Sequence, residues 1–178
     1  RRHGTIGINV FNSARFWRNA RDFLFILLFI ALIAQGIVAA RRVEPMFQLL
    51  IWRGALHDLL QIAGVLLVLG GLVLFAVAEL HLGASWRVGI EEGANPGLVT
   101  AGLYAYTRNP IYLGILLTLA GYTALLPTRL SVLMLIGISV GLRIQAMAEE
   151  EYLLRTYGDA FRAYAHRVGR FVPWLGRL

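Results

Sequence analysis

From Phe23 to Ala40 the chain runs 18 residues without a charged side chain, and from Leu59 to Ala78 it does so for 20. A hydrocarbon core of about 30 Å is crossed by roughly 20 apolar residues in a helix. Inside lipid every backbone N–H and C=O must be paired, and a segment that pairs its own is a helix. Two further runs follow. The 16 residues between Pro110 and Pro127 would measure about 24 Å at 1.5 Å per residue, so this span must be recessed, extended past a proline or matched by bilayer thinning. The last begins near Leu130 and is apolar to Leu142, after which Arg143 and Gln145 precede Glu149-Glu150-Glu151, so its final turns leave the lipid. The expected fold class is an all-α integral membrane protein with four transmembrane helices. Met46–Trp52, apolar but only seven residues long, suits an interfacial segment and leaves a fifth span open. No repeat or low-complexity linker divides the sequence, so residues 1–178 are read as one domain.

Composition agrees: 58% of residues are hydrophobic and 15% charged, a balance that speaks against a soluble domain. With no cysteine there is no disulfide framework, thiolate nucleophile or cysteine metal site. The histidines at 3, 57, 81 and 166 are scattered, and Glu79 and His81 would diverge on a helix, so no metal is expected. His81 reads as interfacial packing. All 17 basic residues are arginine. Arg15, Arg18 and Arg21 interleave with Phe11, Phe16 and Trp17, which makes residues 1–21 either a basic amphipathic segment lying on an anionic leaflet or a disordered basic tail. Five arginines precede the first run and five (155, 162, 167, 170, 177) follow the last. The positive-inside rule then puts both ends in the cytoplasm, with Arg41 and Arg42 as the misfit. The expected partners are membrane lipids and no nucleic acid. Gly70-Gly71, Gly114, Gly121 and Gly137-x-x-x-Gly141 would let helix backbones approach closely.

In that topology the polar segments 79–109 and 143–178 converge on one face, where chemistry is to be sought. The third span opens Tyr106-Thr107-Arg108-Asn109-Pro110-Ile111-Tyr112, with asparagine suited to the N-cap and proline to the first helical position. Such a helix start beside Arg108 either attracts a carboxylate or phosphate or merely begins a helix while Arg108 reaches headgroups. Glu149, Glu150 and Glu151 sit where the helix dipole disfavours them. They form either a cation-binding face, with at least one Glu turned to solvent or Arg155, or a solvated helix end.

Taken with their neighbours, these clusters resemble the isoprenylcysteine carboxyl methyltransferase family and, more loosely, the phospholipid N-methyltransferases. The resemblance covers roughly residues 80–175. It runs from Leu82-Gly83-Ala84-Ser85-Trp86 through Leu98-Val99-Thr100-Ala101-Gly102-Leu103-Tyr104 and Arg108-Asn109-Pro110-Ile111-Tyr112 to Glu149-Glu150-Glu151-Tyr152-Leu153. It closes with Tyr157-Gly158-Asp159-Ala160-Phe161-Arg162-Ala163-Tyr164, Val168, Arg170 and Pro173. It implies a small bundle of membrane helices, capped by the C-terminal segment on the cytoplasmic side, that holds S-adenosylmethionine. Pro96, Gly97, Leu98 and Val99 would lie along that cofactor, with Tyr104, Asn109, Pro110, Ile111, Tyr112 and Glu149 lining the rest of its pocket.

Asn109 stands where the family usually has histidine, and Gln145 where eukaryotic members carry a substrate-linked arginine that Arg143 would replace. The implied activity is methyl transfer to a lipophilic acceptor, a carboxylate or lipid headgroup, in a bacterial or archaeal plasma membrane with the site facing the cytoplasm. Arg108, Asn109 and Glu150 would be the catalytic residues, Glu150 as base, and Arg143 and Gln145 the substrate residues. Loss of the imidazole favours an acceptor that needs no base. A sterol-reductase-like enzyme using NADPH and a non-catalytic scaffold of the same fold are the alternatives.

Overall fold

The computed structural model describes residues 30, 33–37, 55–82 and 97–177. The chain forms two compact units, Arg1–Glu44 and Pro45–Leu178. In the first, residues 30 and 33–37 are helical, within the run read as span one. The amphipathic segment 1–21, the 46–52 segment and Pro96 lie outside the described residues.

In the second unit, α1 spans Ala55–Leu82, overrunning its apolar core by a turn at each end. Asp58 in its first turn complements the helix dipole. A 3-10 turn at Gly102–Ala105 leads to α2, Pro110–Leu125, which fills the interval the two prolines allow. Next comes α3, Arg129–Tyr157. It starts at a capping box in which Thr128 Oγ1 accepts from Ser131 N (3.1 Å) and Ser131 Oγ from Thr128 N (3.0 Å), and it passes Arg143 and Gln145 without a break. Gly158, at φ +53°, separates it from α4, Asp159–Arg167. Among the described residues two helices, α1 and α3, are long and apolar enough to cross a membrane, and α2 is a shorter apolar helix.

Glycines set the contact between α1 and α2. The buried residues of α1 are Gly64, Gly71 and Ala78, one every seven residues on a single face. Gly71 meets Gly114 and Gly64 meets Gly121, so the two helices run antiparallel with their backbones nearly touching. A Cβ built at Gly71 would stand 2.7 Å from the Gly114 carbonyl and 2.7 Å from the Thr118 amide. Away from this contact Leu59, Leu66 and Val73 of α1 are exposed, as suits a helix solvated by hydrocarbon. Gly70, Gly137 and Gly141 have open space around them. The close approach expected there is absent among the described residues.

Along α3 the buried residues are Ser131, Met134, Ile138, Leu142, Ala146 and Glu150, a stripe at three- and four-residue spacing that stays on one face. The stripe ends in a carboxylate. Where α3 leaves the apolar region, Phe161, Tyr164, Ala165 and Val168 of α4 and its end form a small core with Leu98, Leu153, Leu154 and Tyr157. This core holds α4 against the end of α3.

Candidate functional site

Residues 107–109, just before α2, lie beside the chain that follows α4. Thr107 and Gly169 form a parallel bridge, Arg108 N donates to Gly169 O (2.9 Å) and Asn109 N to Arg170 O (3.1 Å). Gly169 has no room for a side chain, since a Cβ there would lie 2.6 Å from Leu175 O and closer still to Val172 O. Asn109 occupies the N-cap position with Pro110 following, as the sequence reads. Its side chain makes no cap bond, and its Nδ2 donates to Arg170 O at 3.0 Å.

This pairing brings three charges together. Glu150 Oε1 accepts from Arg108 Nε (3.1 Å), Arg108 Nη2 (2.8 Å) and Arg170 Nε (2.9 Å), and Oε2 accepts from Arg170 Nη2 (2.8 Å). Arg108 Nη1 also donates to Ala165 O (2.9 Å) and Val168 O (2.6 Å), and Nη2 to Gly176 O (2.9 Å). A guanidinium has five N–H donors, and all five of Arg108 are engaged. The side chains of Arg108 and Glu150 are 2% and 8% exposed, so the group is a dry knot tying α2, α3 and the C-terminal turn. The hydrogen bonds to Glu150 hold Arg170 more firmly in its charged form, outweighing its partial burial. Arg108 has no donor left to guide an acceptor's anionic head.

The neighbouring Glu149 turns to a different face, as adjacent helical residues about 100° apart must. Its Oε1 accepts from Tyr112 Oη (2.6 Å) and from Gln145 Nε2 (2.7 Å), while Oε2 takes neither bond. Glu151 pairs with Arg155 in solvent. The three glutamates thus have three environments: half-buried, buried and exposed. Arg143 is exposed, and two residues along a continuous helix place it about 160° around from Gln145. The two side chains therefore leave α3 on different sides.

Tyr104 is buried on the turn ahead of α2, near enough to Glu149 to feel its charge. Burial, with help from the charges of Tyr164, Glu149 and Glu79, pushes its phenol well above the usual range, so it stays protonated. Tyr164 Oη donates to Tyr104 O (2.7 Å), and burial pushes this phenol up to about 12, against the lowering effect of Arg108. A phenol whose folded pKa is raised favours the fold while it is protonated, so this contribution is complete below the unfolded value of about 10 and is lost as pH climbs from there towards about 12. Alkaline unfolding in detergent, followed by circular dichroism, should therefore steepen across that window, and Tyr164→Phe should flatten it.

Sequence reasoning missed two supports of this face. His81 Nδ1 accepts from Leu103 N (3.2 Å), and its ring fills the space above Gly102, where a Cβ would come within 2.8 Å of it. It thereby pins the turn that carries Tyr104. Glu79 adds a second negative charge near the same phenol. Neither residue has a local pattern to mark it, because both reach the site through the end of α1. Of the other expected cofactor residues, Leu98 packs on the α4 core, Pro110 is fully buried, Val99 and Ile111 are half-buried and Gly97 is exposed.

With the geometry in place, comparison decides the family. The model of the phospholipid methyltransferase family matches residues 59–160, more than half of the chain. The chain belongs to that family. It is 31% identical over 100 residues to methanethiol S-methyltransferase 1 of Bradyrhizobium diazoefficiens, covering 56% of this chain and 34% of that protein. It is 34% identical over 79 residues to protein-S-isoprenylcysteine O-methyltransferase of Schizosaccharomyces pombe, covering 44% and 34%. The chain thus spans about a third of the length of these curated relatives. In fold it is similar to the eukaryotic intramembrane Ras methyltransferase, isoprenylcysteine carboxyl methyltransferase, with a TM-score of 0.59 and 22% identity over 94% of this chain and 55% of that one. The family and the apolar helices make this a membrane protein of the phospholipid methyltransferase family, in line with the resemblance.

Proposed function

We propose that this protein transfers a methyl group from S-adenosylmethionine to a lipophilic, uncharged acceptor at the face formed by Tyr104, Tyr112, Gln145 and Glu149. When bound, the cofactor supplies an electrophilic methyl on a cationic sulfonium. The residues present fit such a group. Glu149 is a half-buried carboxylate whose two hydrogen bonds among the described residues both use Oε1, so Oε2 is left to meet the α-ammonium group that the cofactor and its demethylated product share. Tyr112 and Gln145 fix its rotamer, and Tyr104 gives the face an aromatic wall whose hydroxyl stays neutral. The observation that carries the reading is this division of labour between adjacent glutamates, one locked between two arginines and the other held open on a polar face. Arg108 and Glu150, expected from the resemblance as catalytic residues, are better explained as the brace that positions the start of α2 against α3. Asn109, tied to Arg170 O, belongs to the same brace.

Cofactor binding tests this directly. In detergent, S-adenosylhomocysteine should bind by calorimetry, Glu149→Gln should weaken it by about tenfold, the size of one charge-assisted hydrogen bond, and Glu151→Gln should leave it unchanged. Equal effects of the two substitutions, or no binding to the unsubstituted protein, would count against the assignment and favour the scaffold.

The acceptor's charge follows from the same geometry. Every Arg108 donor is engaged, Gln145 donates to Glu149, and Glu79 and Glu149 both bear on Tyr104. A carboxylate approaching this face meets negative charge and finds no guanidinium on it among the described residues. A thiol meets no such barrier, and one relative is named for S-methylation of methanethiol. Methylating a thiol releases its proton, whereas methylating a carboxylate releases none, so proton release measured with a pH indicator during turnover separates the two acceptor classes.

A further inference from the structure

Beyond the site, the C-terminal turn combines features the methyl-transfer reading does not use. Trp174 has φ +67°, a left-handed conformation that a bulky residue adopts only when its surroundings impose it. The constraints are visible. Arg170 N donates to Leu175 O (2.9 Å) and Leu175 N to Val172 O (3.1 Å), and Gly176 O accepts from the buried Arg108 (2.9 Å). The turn is therefore stapled to the charged knot at both ends. What this rigid frame presents outward is apolar: Trp174 is 74% exposed, Leu175 65% and Val172 46%.

Its depth is also fixed. The Arg108–Gly169 and Asn109–Arg170 bonds place the base of the turn beside residues one or two positions before Pro110, within about 8 Å of the start of the apolar helix α2 at 3.8 Å per residue. With α2 read as the third membrane span, that level is the membrane interface. Exposed Arg167 and Arg177 flank the turn, giving it the basic character that anionic headgroups attract.

We propose that residues 171–177 form a membrane-interface anchor, in which Val172, Trp174 and Leu175 seat at the boundary between headgroups and acyl chains of an anionic phospholipid leaflet while Arg177 meets the lipid phosphates. An indole is suited to this boundary because its ring is apolar and its N–H is polar. Because the same turn supplies a carbonyl to Arg108, seating it in lipid also steadies the start of α2. The inference does not depend on the methyl-transfer reading.

The test uses the full chain carrying Trp17→Phe, Trp52→Phe and Trp86→Phe, which leaves Trp174 as the sole tryptophan, in vesicles of phosphatidylcholine with a minority of phosphatidylglycerol. Lipids brominated close to the headgroup should remove about half of its emission, more than lipids brominated near the chain end, as an interfacial indole requires. Aqueous iodide should have little effect. Quenching by iodide alone would place the turn in water, stronger quenching by the deep label would place it in the core, and quenching by neither would mean that protein covers it. Each of these overturns the proposal. Should the triple variant fail to fold, the difference in bromolipid quenching between the unsubstituted chain and Trp174→Phe reads the same quantity: a loss of quenchable emission is expected, and its absence overturns the anchor.

Discussion

Replacing Glu150 by alanine is expected to be the most damaging single change near the site. It removes the carboxylate from between Arg108 and Arg170 and leaves two guanidinium groups facing each other, one of them almost wholly buried. Breaking a buried ion pair from one side typically costs about 3–5 kcal/mol, because the remaining charge keeps its desolvation penalty without its partner. Thermal unfolding in detergent should show a loss of that order together with loss of S-adenosylhomocysteine binding. Glu151→Ala, which removes only a solvent-exposed pair with Arg155, should stay within about 0.5 kcal/mol of the unsubstituted protein. Exchanging the whole triad for apolar residues should not restore stability, since the carbonyls of Ala165, Val168 and Gly176 would lose the donor that Arg108 provides. Full recovery in such a triple variant would show that the knot matters for packing alone.

The second large effect is expected in the membrane, at two adjacent glycines. Gly71→Ala places a methyl 2.5 Å from Thr118 Oγ1 and 2.7 Å from both the Thr118 amide and the Gly114 carbonyl. Two of the three obstacles are backbone atoms of a packed helix, so α1 and α2 must separate along their contact. Overpacking of this kind costs about 1–3 kcal/mol, with more where backbone cannot yield. At Gly70 nothing lies within 4 Å, and alanine is a better helix former than glycine by about 1 kcal/mol. Gly70→Ala should therefore be neutral or mildly stabilising in the same unfolding assay. Similar losses at both positions would refute the antiparallel glycine contact.

These two substitutions mark where reading along the chain succeeds and where it stops. The pair Gly70-Gly71 announces that a helix can approach there, but which of the two glycines faces the neighbour depends on rotation about the axis of α1. That rotation is set by Gly114 and Gly121 some fifty residues away. Gly137-x-x-x-Gly141 carries the same local signal and has no neighbour among the described residues. The three glutamates show the same division. Helical geometry requires that they diverge, whereas the bridge between residues 107 and 169 decided that Glu150, not Glu149, would be the one locked between arginines. Arg108 illustrates the largest revision. In sequence it is a cation beside a helix start, suited to an incoming anion, and in the fold three carbonyls and a carboxylate consume all of its donors.

The sequence by itself determined the apolar helices α1 and α2 and the start of α3, because crossing hydrocarbon imposes a length and forbids charge, and both are visible residue by residue. It also determined that charged side chains would gather just before α2 and along the last turns of α3, since nowhere else in those segments can the chain hold charge cheaply. Only the tertiary structure decided which charges neutralise one another, which carboxylate stays open and which glycines touch. Those outcomes depend on distances between segments 20 to 68 residues apart, and the electrostatic and steric energies involved change by several kcal/mol within a few ångströms.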